Sequence, residues 1–217
     1  MAGERDLLVK GLRAKVRGIP DRFDDATVMA LRSELLAIDA YLRVHPREAS
    51  ERARRALERA LSLAGAAHAF TSELRGLLGQ KEKSEKASWF DLSSIGILGV
   101  ENILTADRVT VPRILMSSLS EALMYLASRQ YVGGAEEVLR GLYRQHASSM
   151  YKDLWALATD FRKTLSVYDV KELQSGIDGF FERLEAAPLQ ARIAVVHQFY
   201  ALLLMLRIAD LLEALGT

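Results

Sequence analysis

Apolar side chains recur at intervals of three and four residues along most of this chain, the spacing that places them on one face of an α-helix. The segment Val111 to Arg129, VPRILMSSLSEALMYLASR, shows this most clearly. Thr110 is a possible N-cap there, and Pro112 suits the first helical position, since its missing N–H would lack an intrahelical partner anyway. Because no segment alternates with a period of two, we predict an all-α, multi-helix bundle built from αα-hairpins, without a sheet.

The same spacing, together with capping residues and breakers, predicts further helices in both halves of the chain. Asp24 or Asp25 can cap the second helix, and Asp169 with Glu172 resembles a capping box. The predicted helices cover residues 5–17, 25–43, 47–78, 111–129, 135–151, 151–165, 169–185 and 188 onward, with an interrupted helix at 89–104. The 151–165 segment either continues the helix before it or kinks away from it.

Three regions follow from the distribution of polar and apolar residues. Residues 1–79 form an N-terminal helical region, 80–87 (QKEKSEKA) a charged linker and 88–217 a C-terminal helical bundle that can share one core with the first region. A glycine pair at 133–134 is typical of the turn in an αα-hairpin. The last helix is apolar nearly all round, so we expect it at the centre of the bundle or under a partner.

Composition excludes several classes of protein. The 217-residue chain has no cysteine, which excludes disulfides and thiolate metal sites. A formal net charge of +1 argues against nucleic-acid binding through global charge alone. Abundant arginine and alanine suit a thermophile or a GC-rich genome. The start of the chain has no continuous apolar core, and polar residues interrupt the apolar stretch 193–212, so we expect a cytoplasmic protein without a membrane partner.

The segment Val111 to Arg129 also carries a pattern of residue types. Val-Pro is followed by an apolar pair at 114–115, then by Leu-Ser-Glu-Ala-Leu at 119–123, an aromatic residue, leucine and Ser-Arg at 128–129. This pattern resembles the small helical subunit of type III-B (Cmr) CRISPR RNA-targeting effector complexes. The C-terminal stretch ALLLMLRIADLLEAL, preceded by Gln-Ala-Arg at 190–192, is similar to the last helix of that family.

The resemblance implies a non-catalytic subunit that lines the channel of the guide–target RNA duplex and contacts its phosphates. The implied partners are the other protein subunits of the complex and the guide and target RNA, with self-association of like copies. Exposed arginines are the natural phosphate ligands. The candidates for RNA contact are Arg52, Arg55, Arg59, Arg113, Arg129, Arg140 and Arg144.

The arginine-rich stretch 43–59 can also be interpreted as a solvated, self-paired face. Its glutamates precede arginines by four residues, which predicts the ion pairs Glu48–Arg52 and Glu51–Arg55, each worth a few tenths of a kcal/mol. Arginines in such pairs can exchange a carboxylate for a phosphate.

Two other functions remain open. Arginine followed by histidine after four to six residues resembles the HEPN-type ribonucleases, and Arg140 to His146 and Arg192 to His197 have this spacing. There, histidine would act as general acid or base and arginine would stabilise phosphorane charge, with Arg192 and His197 as the catalytic pair across a homodimer. The third possibility is a helical protein–protein adaptor. We predict neither a cofactor nor a metal site, because the chain has no Glu-x-x-His, Walker or dinucleotide motif.

Overall fold

The computed structural model describes residues 2–19, 22–79, 111–127, 136–160 and 167–216. Within these ranges all regular structure is helical and no strand occurs, which confirms the all-α prediction. The α-helices are α1 (Ala2–Arg17), α2 (Asp25–Val44), α3 (Glu51–Gly79), α4 (Val111–Ala127), α5 (Glu136–Asp160), α6 (Val167–Ala186) and α7 (Leu189–Ala214), and a 3₁₀ helix covers Pro46–Glu48.

The first two helices have ends close to those predicted. α1 ends at Arg17, before Gly18. Asp24 is the N-cap of α2, and its Oδ1 accepts a hydrogen bond from the backbone N–H of Thr27 at 2.8 Å. This bond satisfies one of the amides that the first helical turn leaves unpaired. Of the two predicted caps, Asp24 and Asp25, the N-cap is therefore Asp24, because its carboxylate accepts from the Thr27 amide.

The predicted start of the third helix at Arg47 is wrong. Residues Pro46–Glu48 form a 3₁₀ turn, and α3 begins only at Glu51, after Ser50. The hydroxyl oxygen of Ser50 accepts a hydrogen bond from the N–H of Ala53 at 3.1 Å, which is the interaction of an N-cap residue. The helical spacing of residue types continues before Ser50, but the backbone there is not α-helical.

In the second half, the structure decides one open alternative and changes one boundary. α5 runs unbroken through Tyr151, so the residues on either side of it belong to one helix. α6 begins at Val167, and Asp169 is therefore inside its first turn and is not its N-cap. The last helix begins directly after Pro188, as predicted. Five predicted features lie outside the described residues: the Thr110 cap, the 80–87 linker, the 89–104 helix, the 133–134 turn and residues 161–165.

α7 is the central helix, which is one of the two positions that its apolar sequence predicts. Every residue from Ile193 to Leu206 is buried, and α1, α3, α4 and α5 all pack against α7. α2 packs between α1 and α3, while α6 packs against α4 and α5. The alanines of α3 at positions 53, 56, 60 and 64 are buried and let neighbouring helices approach closely.

The N-terminal and C-terminal regions share one hydrophobic core. Buried apolar residues from α1 to α7 form a single contiguous cluster. Among the described helices, α7 is the one long and apolar enough to cross a bilayer, and 83% of its most apolar window is buried inside the protein. Its hydrophobicity is therefore accounted for by its central place in the bundle.

Candidate nucleic-acid interface

The outward face of α5 carries basic side chains at helical spacing. Arg140 and Arg144 lie one turn apart and are both exposed, and Lys152 is exposed two turns beyond Arg144. Arg140 pairs with Glu136 at 3.1 Å, where the two side chains are 54% and 67% exposed. Arg144 forms no ion pair with the part of the chain that the structure describes. We call Arg140, Arg144 and Lys152 the α5 basic stripe.

Aromatic side chains lie beside this stripe, at the contact between α5 and α6. Tyr151 is 37% exposed, and its ring packs edge-on against Phe181, with the ring centroids 5.0 Å apart and the ring planes at 90°. The Trp155 ring lies 6.1 Å from that of Tyr151. The Tyr151 hydroxyl donates a hydrogen bond to Asp178 at 2.9 Å, and this bond, together with desolvation, raises the pKa of the phenol.

The candidate arginines of α3 differ in what they contact. Arg52 reaches α7, where it pairs with Asp210 at 3.4 Å and with Glu213 at 3.0 Å. The predicted pair Glu48–Arg52 is wrong, because Glu48 lies outside α3 and instead accepts a hydrogen bond from Tyr41 at 2.9 Å.

The second predicted pair on α3 is confirmed. Arg55 pairs with Glu51 at 3.1 Å, and both side chains are 69% exposed. Arg59 is exposed one turn further along α3. The outward side of α3 therefore carries Arg55 in an exposed local pair and Arg52 in ion pairs that connect α3 to α7.

The remaining candidates for RNA contact lie on or beyond α4. Arg113 pairs with Asp169 at 2.7 Å and so joins the first turns of α4 and α6. This contact explains the role of Asp169, which the sequence assigned to a cap. Arg129 lies outside the described residues. The candidate arginines that the structure describes therefore lie in three separate groups, on α3, α4 and α5.

Arg192, the arginine of the alternative catalytic pair, contacts the connection between α6 and α7. Arg192 donates from Nε to the carbonyl of Ala187 at 2.8 Å and pairs with Glu185 at 3.0 Å. Its guanidinium also lies over the Tyr143 ring, 5.4 Å from the centroid. These contacts fix the connection between α6 and α7.

The histidine of that pair lies in the core. The Nε2 atom of His197 is 2.6 Å from the carbonyl oxygen of Phe23 and donates to it. Burial, partly offset by this bond, lowers the pKa of His197 to about 4. Arg192 and His197 therefore have separate partners, and no contact between them occurs among the described residues.

A second buried histidine forms a contact that sequence reasoning missed. His146 Nδ1 lies 2.6 Å from the hydroxyl oxygen of Tyr200, and the Phe70 ring packs against both side chains, with centroids 5.1 and 5.4 Å away. Burial lowers the pKa of His146 and raises that of Tyr200. No sequence spacing links positions 146 and 200, since they meet only where α5 packs against α7.

Neither the surroundings of His197 nor the contact of His146 with Tyr200 has the arrangement of a metal centre. The described residues contain no cluster of three or more His, Asp or Glu side chains that could hold a metal ion. Comparison of the chain with protein-family models, with curated proteins and with solved structures finds no match. Inference about function therefore rests on the described side chains and on the residue pattern of the Val111–Arg129 segment.

Proposed function

We propose that this protein is a non-catalytic helical subunit of an RNA-guided effector complex and that it contacts RNA phosphates through the α5 basic stripe. The observation that carries the proposal is the exposure of Arg140 and Arg144 one turn apart on α5. The resemblance of the Val111–Arg129 segment to the type III-B small subunit supplies the class of complex. Other subunits, guide and target RNA and further copies of the chain are the proposed partners, in the cytoplasm.

The candidate arginines are not equally suited to bind phosphate. An exposed pair between oppositely charged side chains contributes about 0–1 kcal/mol, so its carboxylate is easily exchanged for a phosphate. Arg140 and Arg55 form pairs of this kind, within single helices. Arg52 and Arg113 instead connect different helices, so recruiting them to RNA would remove contacts of the bundle. We therefore rank Arg140 and Arg144 first and Arg55 next.

The buried positions of the two histidines support the non-catalytic part of the proposal. A general base must come within hydrogen-bonding distance of its substrate. His146 and His197 are 5% and 4% exposed, and both already have partners in the core. Arg192 is likewise engaged by Ala187 and Glu185 at the start of α7.

A salt titration of RNA binding tests the phosphate contacts. Each phosphate contact to a single strand contributes about 0.7 to the slope of log K against log salt, so Arg140→Ala/Arg144→Ala should lower the slope by about 1.4. Arg43→Ala/Arg47→Ala is the matched control, because Arg43 pairs with Asp39 at i,i+4 and Arg47 is also exposed. An equal loss in both double variants, or wild-type protein that does not bind RNA, would refute the proposal.

Purification of the tagged chain from its native host tests the assembly. We expect a complex with further protein subunits that contains guide RNA, identified by sequencing the released nucleic acid. A complex free of nucleic acid contradicts the proposal and favours the protein–protein adaptor. RNA cleavage by the purified chain in EDTA that is lost in His197→Ala contradicts it in favour of the ribonuclease.

A further inference from the structure

We infer that Tyr151 is a stacking platform for an unpaired RNA base, with the strand's backbone lying along the α5 basic stripe. The inference rests on the proposed function, because it requires that the protein contact RNA. It goes further in naming the kind of RNA, a single-stranded segment. The carrying observation is that Tyr151, 37% exposed, lies on the same face of α5 as the exposed Arg140 and Arg144, with the exposed Lys152 on the adjacent face.

The Tyr151 ring is held in a fixed orientation before any ligand binds. Phe181 contacts it edge-on at 5.0 Å, Trp155 lies 6.1 Å away, and Asp178 binds its hydroxyl at 2.9 Å. The Phe181 and Trp155 side chains are half-buried and pack against the core. A ring already ordered in this way loses little rotamer freedom when a base stacks on it. Tyrosine also offers a large flat surface, which stacks on any base.

The charges around the ring favour one path for the backbone of the RNA strand. Arg144 precedes Tyr151 by seven residues, or about 10 Å along the helix axis, and Lys152 follows it directly. On α6, Asp178, which accepts from the Tyr151 hydroxyl, is exposed and acidic, and so is Glu182, the residue after Phe181. Phosphates are therefore attracted to the α5 side and repelled from the α6 side. This distribution places the backbone along α5 and turns the bases toward Tyr151.

The same geometry favours single strands over duplexes. Bases inside an A-form helix are stacked on each other and have no face free for a side chain, whereas unpaired bases stack readily on aromatic rings. A duplex can still use Arg140 and Arg144, because contacts to phosphate do not depend on the bases. Tyr151 should therefore contribute to binding of single-stranded RNA alone, while the arginines contribute to binding of single strands and of duplexes.

Binding by the full-length chain, followed by fluorescence anisotropy, tests this separation. The probes are a labelled single-stranded uridine-rich RNA and a blunt-ended duplex of equal length. Tyr151→Ala should weaken binding of the single strand roughly 5- to 100-fold, the effect of losing one stacked base, and leave duplex binding unchanged. Tyr151→Phe should bind like wild type, since it keeps the ring and loses only the bond to Asp178.

Met124→Ala is the control, because it truncates another exposed apolar side chain, 67% exposed on α4. It should leave both affinities unchanged. The stacking inference is overturned if Tyr151→Ala binds the single strand like wild type, or if it weakens single-strand and duplex binding equally. In that event a loss of affinity in Arg140→Ala/Arg144→Ala still supports the proposed function. Wild-type protein that binds neither RNA overturns both.

Discussion

His146 and Tyr200 are joined across the interface of α5 and α7 by a contact of 2.6 Å between Nδ1 and the phenol oxygen. Both side chains are buried, and the Nε2 atom of His146 has no hydrogen-bond partner among the described residues. The Tyr200 hydroxyl is therefore the group that keeps this imidazole from being wholly unsatisfied in the core. Buried polar groups without partners are costly, so this pair has clear consequences for stability.

Tyr200→Phe should destabilise the protein by about 1–3 kcal/mol, because it leaves the His146 ring without a hydrogen bond in the core. His146→Leu/Tyr200→Phe should be less destabilised than the sum of its single variants, since removing both partners leaves neither unsatisfied. Urea unfolding of the four proteins measures the coupling. Strictly additive effects would show that the contact contributes no energy of its own.

Stability should fall as the pH falls from about 6.5 to about 4. His197 has a pKa of about 4 in the folded protein, against 6.5 as its ordinary value, chiefly because of burial. In that interval the unfolded chain binds a proton that the folded protein excludes, so the lowered pKa destabilises by about 3 kcal/mol in total. The lowered pKa of His146 acts in the same direction.

His197→Gln should show a shallower pH dependence than wild type, measured by urea unfolding at several pH values. A wild-type free energy of unfolding that is equal at neutral pH and at pH 4 would be incompatible with a neutral, buried His197.

Gln198→Leu should stabilise the protein, by about 1 kcal/mol. Gln198 is fully buried in α7, and within the described part of the chain neither its amide nitrogen nor its amide oxygen has a hydrogen-bond partner. Leucine has a similar volume and avoids the desolvation of an amide. Thermal unfolding measures the change, and a marked loss of stability would mean that the amide has a partner in solution, such as an ordered water.

Asp24→Ala should destabilise the protein by about 1 kcal/mol, because it removes the side chain that accepts from the Thr27 amide at the start of α2. Asp24→Asn should recover most of that loss, since asparagine caps helices as well as aspartate does. Guanidinium unfolding compares the three proteins. If asparagine is as harmful as alanine, the charge of Asp24, which also pairs with Arg22, matters more than the cap.

Local signals in the sequence located most helices correctly, but the spacing of a capping box placed the start of α6 two residues too late. Pro188 at the start of the last helix and Asp24 at the start of α2 were identified because each acts within one turn of its own position. Asp169 and Glu172 have the spacing of a capping box, yet α6 starts at Val167. Asp169 instead binds Arg113, a partner 56 residues away that no local pattern reveals.

The sequence predicted that arginines are the candidate phosphate ligands, but not which of them form an exposed surface. Helical spacing placed Arg140 and Arg144 on one stripe, and the structure shows that this stripe faces outward. Sequence could not separate these arginines from Arg52, which reaches α7 from α3. It also left open which aromatic side chain is exposed, a property that for Tyr151 depends on how α6 covers α5.

The sequence by itself determined the helical class and most helix ends, because periodicity and caps act along a single helix. The apolar surface of α7 on all sides required cover, and the tertiary structure shows that other helices of the bundle supply it. Tertiary structure alone decided which polar groups far apart along the chain meet. His146 and Tyr200 are 54 residues apart along the chain, and His197 and Phe23 are 174 apart. Whether such groups become a buried pair or an exposed binding surface depends on how helices pack together, which spacing along one helix does not specify.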